Sequence, residues 1–190
     1  QDLIFVNSTT WPGDLAPEKA PTLELYRNRG DGTFENVTAG SGLEVTFYGM
    51  GVACGDIDGD GWTDLFFTAV GENRLFRNVE GQRFEELSNA GGAAGTPEQW
   101  TTSAGFFDYD QDGDLDLFVC NYLQWSREND IAQDFKLIGG GRAYGRPQNF
   151  AGVHCALYRN DGSGRFEDVS KEMGIQVVNP NTKVPMAKSL

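Results

Sequence analysis

Aspartates at alternate positions carry the clearest chemistry in this chain. In Gly55-Asp-Ile-Asp-Gly-Asp-Gly-Trp-Thr-Asp64, carboxylates fall at positions 1, 3, 5 and 9 of a nine-residue loop: Asp56, Asp58, Asp60 and Asp64. Gly61 stands at position 6, where a loop wrapped round a cation must turn sharply. A second loop repeats the pattern with Asp108, Asp110, Asp112 and Asp116, and with Gly113 at the turn. Ca²⁺ is a hard cation that gathers carboxylate and backbone oxygens. Alternate side chains of a turning loop can converge on one ion while the residues between them point outward. Position 7, Trp62 in one loop and Asp114 in the other, is expected to add its backbone carbonyl. Without metal, carboxylates about 5 Å apart repel by roughly 3 kcal/mol per pair at an effective dielectric of about 20. Metal binding is therefore expected to be coupled to local folding.

Other uses of these residues fit less well. An EF-hand starts in the same way but needs flanking helices and a bidentate Glu at position 12; here that position holds Phe67 or Val119. The nonapeptide of calcium β-rolls is absent. Mg²⁺ keeps its waters and rarely takes an all-protein cage. The single histidine, His154, adjoins Cys155, but neighbours on a strand point to opposite faces, which does not make a nucleophile and base. No GxSxG, HExxH or phosphate-binding glycine loop occurs. The sequence reads as a non-enzyme.

The elements that position the loops repeat along the chain. Leu25-Tyr-Arg-Asn28, Leu75-Phe-Arg-Asn78 and Leu157-Tyr-Arg-Asn160 each lead through a glycine turn to Phe34-Glu35, Phe84-Glu85 or Phe166-Glu167. Upstream of each is an apolar run headed by Asp: Asp2 to Val6, Asp64 to Phe67 and Asp116 to Val119. Asp2 thus matches loop position 9 and is taken as the remnant of a third, truncated site. A period near 50 residues with four short β-like segments per unit predicts an all-β chain of propeller blades. Each blade is expected to have four antiparallel strands, with the Asp loop between strands 1 and 2. In the second unit they are predicted at Gly51–Cys54, Leu65–Ala69, Arg74–Asn78 and Arg83–Leu87. Strand 2 is apolar on both faces, as for a strand sandwiched between neighbours; strand 4 does not alternate cleanly and is expected to be a short outer edge.

About three blades are expected, over residues 1–46, 47–92 and 101–175, with a further blade starting at 182–190. Residues 1–190 are therefore read as a fragment of one propeller. Two insertions, residues 10–22 and 122–154, interrupt units one and three. Long loops on a rigid scaffold often carry function, so residues 122–154 are the first place to seek a partner-binding surface, against a purely covering role. Cys120 and Cys155 bracket that insertion, as a disulfide or as separate thiols; with Cys54 they make no CxxC motif.

The net charge of −13 argues against nucleic acid and anionic membrane as partners, and the two loops hold nine of the acidic residues. No run approaches the roughly 20 apolar residues of a membrane span. Asn7-Ser-Thr9 and Asn36-Val-Thr38 match the N-glycosylation sequon.

Asp-x-Asp-x-Asp-Gly-x-x-Asp before an apolar strand resembles the FG-GAP/VCBS repeats of integrin-α-type propellers. Gly105-Phe-Phe-Asp-Tyr-Asp-Gln-Asp-Gly-Asp-Leu-Asp-Leu-Phe-Val-Cys-Asn-Tyr122, Tyr144-Gly-Arg-Pro147 and Leu157-Tyr-Arg-Asn-Asp-Gly162 are similar to the cartilage-acidic-protein-like family, whose bacterial members often carry an ASPIC/UnbV segment. That segment is absent, and Gly49-Met-Gly-Val-Ala53 stands where the Gly-Ala-Pro cassette would be. The resemblance implies a secreted or cell-surface calcium-binding propeller used for adhesion to an extracellular protein or glycan. An alternative is a structural subunit whose copies complete each other's blades, with residues 184–190 adding to the first blade of the next copy. A polysaccharide-acting enzyme ranks last.

Overall fold

The computed structural model describes residues 1–11, 14, 15, 17–143 and 145–186. Each sequence repeat folds into one antiparallel meander. The first sheet holds β1 (Leu3–Phe5), β2 (Glu24–Asn28) and β3 (Phe34–Asn36). The second holds β4 (Gly49–Gly55), β5 (Asp64–Ala69), β6 (Arg74–Val79) and β7 (Arg83–Leu87). The third holds β8 (Thr101–Phe107), β9 (Asp116–Asn121), β10 (Ala156–Asn160) and β11 (Phe166–Asp168). The strands follow chain order across every sheet. The chain is all-β, a partial propeller of three blades.

Strand 2 of the middle blade shows why its sequence is apolar throughout. All six residues of β5 are buried. Alternate side chains point to opposite faces, so Phe66 enters one core and Leu65 and Phe67 enter another. Leu65, Phe67 and Phe76 meet Leu23 and Leu43 from the first blade. On the other face, Phe66, Leu75 and Ile57 meet Leu117, Val119 and Tyr158 of the third blade. The cores lie between blades, and the middle blade is a wall of both.

The outer strands β3 and β11 are three residues long, as their poor alternation predicts. The repeated Arg and Glu face each other across them: Arg27 pairs in register with Glu35, Arg77 with Glu85 and Arg159 with Glu167. Neighbouring blades are also joined by backbone. The Phe84 N–H in β7 donates to the Ser41 carbonyl of the first blade at 2.7 Å. Beside it Gly42, at φ +84°, lies so close that a Cβ would stand 2.1 Å from the Phe84 carbonyl oxygen. Gly92 repeats the contact one blade on, 2.2 Å from the Phe166 oxygen at φ +115°.

Two regions depart from the simple repeat. The Tyr122 N–H still donates to the Trp100 carbonyl, and the described residues of 123–154 then add no strand to the sheet; they hold a short helix, α1 (Arg127–Ala132), capped by the Ser126 hydroxyl, which accepts from the Asn129 N–H. Carried one residue further, the β9–β10 register sets Cys155 across from Cys120, so the insertion leaves and rejoins the sheet at one place. Towards the C-terminus, Asn179 N–H donates to the Val184 carbonyl and Met186 N–H to the Val177 carbonyl. This local hairpin includes part of residues 182–190, the stretch read above as the start of a further blade; residues 187–190 lie outside the described residues.

Candidate metal centres

β4 delivers the chain into the first Asp loop and β5 takes it away, while β8 and β9 frame the second in the same manner. The positive φ of Gly61 (+88°) and Gly113 (+99°) supplies the sharp turn at position 6. One carboxylate oxygen from each of Asp56, Asp58 and Asp64 lies within 4.8 Å of the other two. Asp108, Asp110 and Asp116 form the same triad in the second loop. Positions 1, 3 and 9 are thus brought together. Position 5 is not part of the triad: Asp60 accepts the Trp62 N–H at 2.8 Å, and Asp112 accepts the Asp114 N–H at 2.9 Å.

Asp56 also holds the loop's own backbone, accepting from Asp60 and Gly61 N–H groups at 3.1 and 2.9 Å. Asp58 differs. Its Oδ1 is buried and has no hydrogen-bond partner among the described residues, and its Oδ2 lies 3.8 Å from Arg77 Nη1. A buried carboxylate oxygen without a donor is costly, and a cation between the three carboxylates would meet that need. The donor set is all oxygen, which suits a hard ion.

Position 9 does more than offer a ligand. Asp64 is fully buried; its Oδ2 accepts the Ile57 N–H at 2.9 Å and its Oδ1 the Asn78 N–H at 2.7 Å. Asp116 does the same with Tyr109 and Asn160, at 3.0 and 2.9 Å. Asp2 keeps one such bond, to the Asn28 N–H at 2.8 Å. The Asn that ends each Leu-aromatic-Arg-Asn motif is therefore the residue gripped by the position-9 Asp of its own blade. Burial pushes the carboxyls of Asp64 and Asp116 above the usual range, the backbone donors pull them down, and the neighbouring loop aspartates push them up again. In the metal-free chain such raised groups favour folding most at acid pH, and that contribution is lost as pH rises through the raised value.

One side chain departs from the sequence expectation. Ile57, at position 2, was expected to point outward but is 1% exposed and packs in the core between the second and third blades. Its carbonyl accepts from Asn160 Nδ2 at 2.7 Å, and the same amide reaches the Leu115 carbonyl at 3.1 Å. Asn160 thus ties the first loop to the second. The Trp62 ring leans over the turn at Gly81, where a Cβ would meet it at 2.3 Å, and Asp114 stands similarly over Gly162.

Comparison with known proteins follows the same loop-to-loop spacing. The model of the FG-GAP-like repeat matches residues 1–67 and again 56–119, and each match ends just past an Asp loop. The chain belongs to the FG-GAP-like repeat family. Among curated proteins it is similar to cartilage acidic protein 1 of Xenopus tropicalis, 31% identical over 102 residues. The human cartilage acidic protein 1 is 30% identical over 102 residues. Each alignment takes in 51% of this chain and about 15% of the relative's length.

Within the FG-GAP units, the sequence pointed to the loops but not to what fastens them. The Asn28, Asn78 and Asn160 repeat was visible as a pattern, and pairing each with its upstream Asp would have shown the staple. Three tryptophans, Trp11, Trp100 and Trp125, gave no local signal, yet they line one cavity. The His154 backbone carbonyl accepts from Asn121 Nδ2 at 2.8 Å.

Proposed function

We propose that this chain is part of a calcium-stabilised extracellular β-propeller that binds a protein or glycan partner. The observation that carries the calcium reading is the buried, unpartnered Asp58 Oδ1 inside a triad of carboxylates repeated in the second loop. Asp56, Asp58 and Asp64 would hold one ion and Asp108, Asp110 and Asp116 the other, with Asp60, Asp112 and the position-7 carbonyls of Trp62 and Asp114 completing each shell. Asp2 holds the position-9 place in the first blade, where it accepts the Asn28 N–H. The ion's part is to neutralise the loop and bind strand 1 to strand 2; its affinity for the folded form alone adds directly to stability.

The extracellular setting is supported by relatives named for cartilage. No helix among the described residues is long and apolar enough to cross a membrane. The test is thermal unfolding and calorimetry of the chain with calcium and with a chelator. Calcium is expected to raise the melting temperature by several degrees and to bind at two sites, with Asp58→Ala and Asp110→Ala each removing one. A melting temperature indifferent to chelator, with no heat of binding, would refute the reading.

A second reading, association of copies by strand addition, is favoured by β1, an edge strand whose Leu3 and Phe5 are 43% and 49% exposed. It requires a mass that grows with concentration in sedimentation, and a constant monomer mass would dismiss it.

A further inference from the structure

A cavity of 570 Å³ opens at the ends of the strands opposite the Asp loops. Trp100 directly precedes β8, Tyr122 directly follows β9, Trp125 opens the 122–154 insertion and Trp11 comes from the 10–22 insertion. Trp11 is stacked between Tyr48 and Trp125, with ring centroids 4.5 and 4.9 Å away. Trp100 stands nearly perpendicular to Trp11, Tyr122 and Trp125, at 73°, 79° and 88°. None of these rings belongs to the two cores between the blades. Among the described residues the charged groups of the rim form two ion pairs, Arg127 with Asp14 and Arg142 with Asp130. The first of these joins one insertion to the other.

We propose that this cavity is a carbohydrate site that takes a neutral pyranose unit of a glycan. The proposal rests on the reading of the chain as a binding module and names its site and ligand class. The volume suits a small ligand, and an aromatic wall with few polar groups is the usual make-up of such a pocket. Trp11, stacked on Tyr48 and on Trp125, acts as the wedge that fixes Trp125 in the cavity wall, against which the C–H face of a sugar ring can pack. The rim decides against an ion. Each guanidinium is balanced by a carboxylate, so the rim carries no net charge to select one. It presents donors beside acceptors, which is what a hydroxyl group, at once donor and acceptor, can satisfy. Trp100 brings an indole N–H that is buried without an acceptor among the described residues.

The test presents the whole chain, with calcium, to an array of neutral hexose and N-acetylhexosamine oligosaccharides beside sulfated and uronate-containing ones. Neutral glycans are expected to be retained, to shift the tryptophan emission and to shield it from acrylamide quenching. Trp125→Ala and Arg142→Gln are each expected to weaken binding at least tenfold, the second without touching the stacked rings. Arg83→Gln, on the outer strand β7 and away from the cavity, should leave binding unchanged. Retention of acidic glycans alone, retention of none, or full affinity in both cavity variants would overturn the assignment. If glycans fail while chelator still lowers the melting temperature, the calcium-stabilised module stands and the site is wrong. Neutral-glycan binding lost in both cavity variants, without any calcium response, would uphold the site and refute the calcium.

Discussion

Replacing Asp64 with alanine is expected to cost about 3–5 kcal/mol of folding stability even with all calcium chelated. The reason is the pair of backbone bonds rather than the ion. Asp64 accepts the Asn78 and Ile57 N–H groups at 2.7 and 2.9 Å inside a fully buried setting. Hydrogen bonds to a charged partner contribute about 1.5–3 kcal/mol each, and their loss leaves two buried donors unpaired. At this chain length a change of that size lowers the melting temperature by roughly 10 °C. Asp60→Ala is the control, because Asp60 holds only the exposed Trp62 N–H; in chelator it should cost about 1 kcal/mol. Asp64→Asn keeps the shape but turns an N–H₂ group toward a donor, so it should recover only part of the loss. Equal melting temperatures for Asp64→Ala and wild type in chelator would show that position 9 is a ligand and nothing else.

Gly42→Ala is expected to cost a similar amount, about 3 kcal/mol or more, by prising two blades apart. The added Cβ would stand 2.1 Å from the Phe84 carbonyl oxygen, and the backbone at φ +84° is one that side chains rarely adopt. Because the obstacle is backbone, relief requires the first blade to move off β7 and break the bond from Phe84 N–H to the Ser41 carbonyl. Gly92→Ala should act alike at the next junction. Gly40→Ala separates the two causes: it has φ +78° but open space, so only about 1 kcal/mol of backbone cost applies. Denaturant unfolding of the three variants measures this, and parity between Gly42→Ala and Gly40→Ala would show that the close approach of the blades adds nothing to the cost.

What could be read from the sequence was local. The Asp spacing marked both loops, and their apolar sequels marked β5 and β9, because ligand convergence and strand burial are both written in neighbouring residues. The pairing of Arg with Glu across the outer strands follows from the repeat as well. The junctions could not be read. Gly42 meets Phe84 and Gly92 meets Phe166, and nothing near either glycine names its partner. Ile57 was misplaced for the same reason: inside one loop it looks free to face water, and only the third blade turns that position into core. The tryptophans of the cavity come from two insertions and the linker between two blades, so no periodicity connects them.

The reach of Asn160 back to the Ile57 carbonyl, across 103 residues of chain, bears on how the protein is made. Synthesis runs from the first blade to the third, and the ribosome delivers about 5–20 residues each second. The first Asp loop is complete in sequence long before Asn160 emerges, so for several seconds its carbonyl at Ile57 and the side chain beside it remain without their final cover. That interval exposes an apolar residue next to four carboxylates on a nascent chain. During this window the like charge of the four carboxylates opposes association of the unfinished surface with its neighbours.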